Sequence, residues 1–189
     1  MHHNSYPAAL LLDRDGVINF DSPDYILHAD QWHPIAGSLQ AIARLHQAGI
    51  AVTIVSNQSG LGRGMMDQQS FNAIHAKMML AIEQAGGFIS HVAYCIHGPL
   101  DHCDCRKPKP GMVLDTLQVL GLSADQAIFI GDSVRDVSAA DSAGVRACLV
   151  QSGYGDAANI LVKARAIQVD IPTYIDLATA VDAILAGEC

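Results

Sequence analysis

The chain has 189 residues, half of them apolar and 16% charged, with a formal net charge of −8. That length can bury a core without metal or disulfide staples, the apolar share excludes intrinsic disorder, and the negative balance argues against nucleic acid as a partner, though not against a small phosphorylated one. No apolar run is long enough to span a bilayer and Met1–Pro7 lacks the basic region and cleavage site of a signal peptide, so a cytoplasmic protein with no membrane partner is expected.

Short apolar runs alternate with stretches of helical periodicity. Ala8–Asp13 reads as a buried strand, Ile35–Ala48 as a helix and Ile50–Ser56 as a second strand. Gln68–Ala85 is helical and stops at Gly86-Gly87, and Phe88–Cys95 is a third strand. A loop rich in Cys, His, Pro and basic residues follows, "CIHGPLDHCDCRKPKPGM" (Cys95–Met112). Gly111–Leu120 is then helical, Ala127–Asp132 a fourth strand, Val134–Ala143 a helix, Val145–Val150 a fifth strand and Leu177–Ala186 a last helix. Strands apolar on both faces and separated by helices indicate one α/β domain over residues 1–189, with helices flanking a parallel sheet. The two intervals that could hold a large cap, between the first two strands and between Ser56 and Phe88, each hold essentially one helix, so no large cap domain is expected.

Polar residues close several of these strands. Asp13 ends the first, Ser56 the second and Asp132 the fourth, and ligands of open parallel sheets bind at such carboxyl ends. "DRDGVIN" (Asp13–Asn19) and "GDSVRD" (Gly131–Asp136) each set two carboxylates close together. Like charges at that spacing need a cation, and oxygen-only ligands suit Mg²⁺. Any one of these Asp residues alone could equally be a turn former or helix cap; the matching strand ends favour a shared site.

Cys95, His97, Cys103 and Cys105 form C-x-H…C-x-C, three thiols and an imidazole, the donor set of a closed structural Zn²⁺ site. The competing reading is a loop of reduced free cysteines, with His102 as an alternative imidazole. The five cysteines are an odd number, Cys148 lies in an apolar run and Cys189 is terminal, so a disulfide framework is not expected. "GLGRG" has the wrong spacing and the wrong strand for a dinucleotide fingerprint, and there is no Walker A pattern.

"LLLDRDGVIN", "IVSNQSG", "RKPKPGM" and "IFIGDSVRD" together resemble the four ordered motifs of the haloacid dehalogenase-like phosphatase superfamily, over about residues 8–150. The resemblance implies a Rossmann-like fold and an aspartyl-phosphate mechanism. Asp13 would be the nucleophile and Asp15 the general acid and base. Ser56 would hold phosphoryl oxygens and Lys107 would be the fixed cation. Asp13, the Asp15 carbonyl and Asp132 would hold Mg²⁺, with Asp136 supporting the metal indirectly or orienting Lys107. An acid at Asp15 fits phosphatases better than the dehalogenase or P-type ATPase branches.

The zinc loop, the "NQSGLGRG" turn and "DGVINFDSPDYI" resemble more narrowly the D-glycero-D-manno-heptose 1,7-bisphosphate 7-phosphatase family of ADP-heptose and lipopolysaccharide-core biosynthesis. That likeness ranks His97 above His102 as the imidazole ligand. It implies a small phosphorylated sugar as substrate, with Asn19, Asp21, Asp24, Asn57, Gln58, Ser59, Arg63, Arg106 and Ser133 as candidate substrate contacts. Turn formation at Asp21–Asp24 and a surface place for Arg63 are the plainer alternatives. Histidinol-phosphate phosphatase, which shares the zinc loop, is the rival activity, and a catalytically silent zinc-stabilised module is the rival from another class. No long exposed apolar stripe is evident, so a monomer is expected.

Overall fold

The computed structural model describes residues 6–188; the leading residues read for a targeting signal and Cys189 lie largely or wholly outside that range. Its frame is a six-stranded, all-parallel sheet. In chain order the elements are β1 (Ala9–Leu12), α1 (Ser38–Gln47), β2 (Ala51–Asn57), α2 (Ser59–Gly62), α3 (Gln68–Gln84), β3 (His91–Cys95), α4 (Gly111–Leu120), β4 (Ala127–Gly131), α5 (Val134–Ser142), β5 (Arg146–Val150), α6 (Ala157–Arg165), β6 (Thr173–Tyr174) and α7 (Leu177–Ala186). The strand order is β3-β2-β1-β4-β5-β6. The chain therefore builds outward from β1 in one direction and then, from β4, in the other. The reversal lies between β1 and β4, where such sheets open a crevice beyond their carboxyl ends.

The two-residue side-chain period of a strand sorts the core into two layers. Leu10, Leu12, Ile54, Ile128, Ile130, Cys148 and Val150 face one way, against α1, α3 and α7. Ala9, Leu11, Val55, Phe129, Ala147 and Leu149 face the other, with Met112, Val113 and Leu117 of α4 and Val137 of α5. Both layers are apolar, which is why the central strands read as unbroken hydrophobic runs.

Register then places the polar residues. Leu12 pairs with Ile54 on one side and with Ile130 on the other, so β1, β2 and β4 end nearly flush. The Asp13 amide donates to the Ile130 carbonyl at 3.0 Å, carrying the alignment one residue past the strand. Asp13, Ser56 and Asp132 emerge at one edge for that reason. Between β1 and α1 the chain runs through an irregular segment with a single 3₁₀ turn, Ala29–Gln31. Among the described residues the only elements between β2 and β3 are α2 and α3, and none of the helices is long and apolar enough to cross a membrane.

Ten elements fall close to their sequence-predicted positions, and α4 and α7 match them residue for residue. The structure adds α6 and β6 in the interval 151–176 and the single turn α2. Strand β6 has only two residues, both half-buried, so it carries no periodicity to detect.

Ile130 is fully buried at the centre of this arrangement. Truncation to alanine removes three buried carbons with little room for collapse, and Ile130→Ala is expected to cost about 2–5 kcal/mol. Denaturant unfolding should show this as a lower midpoint with an unchanged slope.

Candidate functional site

The crevice above the β1/β4 reversal has a volume of about 280 Å³ and is lined by residues from the segments that follow β1, β2, β3, β4 and β5. At its floor lies the buried ammonium of Lys107, 2% exposed. Its Nζ sits 2.9 Å from Asp13 Oδ2 and 2.6 Å from Asp136 Oδ1, and donates to the Val55 carbonyl at 2.8 Å. The Phe129 ring lies beneath it, 5.4 Å from the ring centre. Burial alone would discharge this lysine; Asp13 and Asp136 instead hold its pKa above the usual lysine range.

A third carboxylate stands beside the two that pair with this ammonium. Asp13, Asp132 and Asp136 each offer an oxygen within 4.8 Å of the others. Asp136 is fully engaged: besides Lys107, its Oδ2 accepts from the Ser133 hydroxyl at 2.6 Å and the Ser133 amide at 3.0 Å. Its burial raises its pKa, but the Lys107 charge and these hydrogen bonds win, and the net shift is downward. The other two go up. Burial, opposed by Lys107, pushes Asp13 up to about 6. Burial and then the charges of Asp136 and Asp13 push Asp132 up to about 9.

Three carboxylates within 4.8 Å of one another leave negative charge that a hard divalent cation would neutralise, and Asp13 and Asp132 carry oxygens for it. The backbone is shaped to match: a Cβ at Gly16 (φ +80°) or at Gly153 would overlap the Asp132 carboxylate. Asp136 is engaged by Ser133 and Lys107, so its contacts run to the lysine and to the first turn of α5.

Asp15 stands two residues beyond Asp13 with its carboxylate held by nitrogen donors. Arg14 meets it bidentately, Nε to Oδ1 and Nη2 to Oδ2, both at 2.9 Å. Asn19 donates to Oδ1 and Gln58 to Oδ2, again at 2.9 Å each. Gln58 also donates to the Ser56 hydroxyl at 3.1 Å, so one amide spans β1 and β2. The Arg14 amide donates to Asp13 Oδ1 at 2.7 Å.

The second cluster lies at the end of β3. The Sγ atoms of Cys95, Cys103 and Cys105 and Nδ1 of His97 fall within 4.8 Å of one another, and His102 is not among them. Cys95 Sγ is 3.7 Å from Cys103 Sγ and 3.1 Å from Cys105 Sγ, and His97 Nδ1 is 3.2 Å from Cys105 Sγ. Tetrahedral thiolate ligands about one zinc-sized ion lie about 3.8 Å apart, so the donor set closes around a metal with small adjustments. Without an ion, burial and the neighbouring thiols push the Cys105 thiol up to about 12. Two residues on, Asn57 clamps the Lys107 peptide: its side-chain oxygen accepts from the Lys107 amide and its nitrogen donates to the Lys107 carbonyl, both at 3.0 Å. Arg106 donates to the His97 carbonyl at 3.0 Å, tying the loop to itself.

Asp21, Gln58, Ser59, Arg106 and Ser133 line the crevice as read from the sequence, together with Asn57, whose amide is occupied by the Lys107 peptide. Asn19, Asp24 and Arg63 are not among the lining residues. Asn19 is fully buried behind Asp15, and Arg63 donates to the Tyr25 hydroxyl at 2.7 Å and lies over its ring. Sequence reasoning passed over Arg14, Tyr25, Arg135 and Tyr154, which do line it. For Arg14 and Arg135 a signal existed: each sits inside a quoted motif beside an assigned aspartate.

Three comparisons with known proteins bear on this geometry. The family model described as HAD-hydrolase-like matches residues 104–175. The D-glycero-beta-D-manno-heptose-1,7-bisphosphate 7-phosphatases of Pseudomonas aeruginosa and Neisseria meningitidis are 46% and 44% identical, over 78% and 77% of this chain and 83% and 78% of their own. The crystal structure of D,D-heptose 1,7-bisphosphate phosphatase from B. bronchiseptica, complexed with magnesium and phosphate, superposes with a TM-score of 0.89 at 41% identity, covering 95% of this chain and 98% of that one.

The raised aspartates make a sign-specific prediction. Folded-state values of about 6 and about 9, above the ordinary 3.8, mean the fold holds protons that the unfolded chain has released. Their contribution is fully present below about pH 4 and lost as pH rises through 6 and then 9. In Mg²⁺-free buffer the melting temperature should fall across that range. Added Mg²⁺, competing with those protons, should raise it more at about pH 8.5 than at about pH 5.5; scanning calorimetry at both pH values checks this.

Proposed function

The chain belongs to the family of D-glycero-β-D-manno-heptose-1,7-bisphosphate 7-phosphatases, within the haloacid dehalogenase-like hydrolases, and we propose the following division of labour for the removal of the C7 phosphate. The observation that carries it is the pairing, at one sheet edge, of an Asp13 carboxylate against Lys107 with an Asp15 carboxylate two residues away.

Asp13 attacks phosphorus through one carboxylate oxygen, forming an O–P bond as the P–O bond to C7 breaks. The departing alkoxide takes a proton from Asp15. Water then attacks the aspartyl-phosphate; Asp15 takes its proton back, inorganic phosphate leaves and the Asp13 carboxylate is restored. Lys107 and the Ser56 hydroxyl stabilise the equatorial phosphoryl oxygens. Asp13, the Asp15 carbonyl and Asp132 would hold Mg²⁺, which supplies neutralisation of the anionic pair and of charge on the transferring group. Arg106, Arg135, Asp21 and Tyr154, farther out on the crevice wall, suit the sugar and its second phosphate.

The β anomer is the expected substrate, and supply of ADP-heptose is the expected setting, since the relatives are named for that sugar. Phosphate release with saturating Mg²⁺ tests the reading against both heptose bisphosphate anomers, fructose 1,6-bisphosphate and histidinol phosphate. A kcat/KM at least about 10-fold higher for the β heptose bisphosphate, abolished by Asp13→Asn, is expected. A preference for histidinol phosphate would overturn the substrate and leave the residue roles standing.

We infer that Cys95, His97, Cys103 and Cys105 hold a structural Zn²⁺. Ordering a Pro- and Gly-rich loop costs conformational entropy, which a metal that binds only the ordered form offsets. Because Cys105 adjoins Arg106 and Lys107, loss of the metal reaches the crevice. Extracting zinc with Mg²⁺ kept saturating should lower kcat/KM and make the loop after β3 susceptible to protease; full activity with zinc completely removed would sink the idea.

A further inference from the structure

Arg14 is absent from the division of labour above, yet it is one of the largest fully buried side chains in the protein, 2% exposed. A buried guanidinium is costly unless paired, and here its neighbours are specific. On one side it forks onto both oxygens of Asp15, Nε and Nη2 each at 2.9 Å. On the other lies Tyr94 of β3, paired in register with Ser56. Burial pushes the Tyr94 phenol up to about 12 even though the Arg14 charge draws it down. The Tyr94 hydroxyl in turn meets Nδ1 of His75 at 3.1 Å, and its ring is held edge-on by Phe71 and His75. A row of groups, buried at Arg14 and half-buried at the other three, therefore runs from α3 through β3 to the acid, His75–Tyr94–Arg14–Asp15.

We propose that Arg14, braced by Tyr94, is a positioning residue for Asp15: it fixes where the Asp15 oxygens lie relative to the departing ester oxygen. The inference rests on Asp15 being the general acid. Two features favour it over a purely structural role for Arg14. A planar fork reaching both oxygens sets the plane of the carboxylate as well as its location, which a single contact cannot. Asn19 and Gln58 contribute one further donor each, one per oxygen, so the carboxylate is fixed from three directions. Proton delivery depends on alignment with the ester oxygen, and small misplacements of such groups are costly.

The test separates proton delivery from folding by leaving group. Benzyl phosphate releases an alkoxide that must be protonated; p-nitrophenyl phosphate, similar in size, releases a phenolate that leaves unaided. kcat/KM covers only the steps through departure of that group, so the later hydrolysis of the aspartyl-phosphate does not enter. Arg14→Lys keeps the charge and loses the fork. It should lower kcat/KM for benzyl phosphate by about 30-fold and for p-nitrophenyl phosphate by less than about 3-fold. Tyr94→Phe, which keeps the ring and removes the hydroxyl, should give the same split at smaller amplitude with a native melting curve; it decides the question if Arg14→Lys does not fold. Equal losses on both esters from every folded variant would overturn the proposal and leave Arg14 a structural ion pair. Asp15→Asn is the control: it must show the largest split, and if it shows none, the assignment of the acid has failed rather than the role of Arg14.

Discussion

One buried ammonium organises this protein's catalytic edge. Lys107 reaches the carboxyl ends of β1, β2 and β4 from a loop that belongs to none of them, and it touches Asp13, Asp136 and the Val55 carbonyl together. A lysine with 2% exposure stays charged only because two carboxylates share it. Taking away one partner of such a pair leaves an uncompensated charge in a low-dielectric setting, at a cost of about 3–5 kcal/mol. The same contact that makes Asp13 a plausible nucleophile therefore also closes the fold at the crossover between β1 and β4.

That dependence explains how much of the surrounding sequence is devoted to delivering one side chain. Asn57 grips the Lys107 peptide from both its amide and its carbonyl. Arg106 returns to His97, and the thiol–imidazole cluster gathers the loop two residues before the lysine. Asp136 is held by Ser133 at the first turn of α5, so the lysine's second partner is itself fixed. Each clamp acts on backbone or on the Asp136 side chain, which is how a site on loops gains the rigidity of a site on strands.

The edge was legible in the sequence, and of its supports only Asp136 and the Cys–His loop were. Asp13, Ser56 and Asp132 announce themselves because each ends an apolar run, and flush register follows from the parallel pairing that such runs imply. Asn19, Asp24 and Arg63 looked equally suitable as substrate contacts, since polarity within a motif says nothing of side-chain direction. Asn19 turns inward to Asp15, and Arg63 is taken by Tyr25. Tyr94 was hidden for the opposite reason: within "FISHVAYC" it counts as one more strand residue, and only the register that sets it beside Ser56 brings it to Arg14. Residues 151–176 gave no clear period, because α6 buries only Ala164 completely and β6 is two residues long.

A net charge of −8 is ill suited to a phosphorylated substrate, and the crevice resolves this by local arrangement. Its inner half holds Asp13, Asp132 and Asp136 against a single lysine, and burial, together with the charges of Asp136 and Asp13, pushes Asp132 up to about 9. Left so, the floor would repel a phosphate. A divalent cation held by Asp13 and Asp132 would reverse the sign there, while the permanent cations, Arg14, Arg106 and Arg135, stand around the crevice. Arg14 is spent on Asp15, so it cannot serve as a free anion receptor. Arg106, on the loop after β3, and Arg135, in the first turn of α5 after β4, remain, and a second phosphate bound by both would straddle the β1/β4 reversal. Among the described residues no large cap encloses the crevice, so selectivity would fall to the distance between that second anion and the metal, a length that the sheet and the loop carrying Lys107 would set.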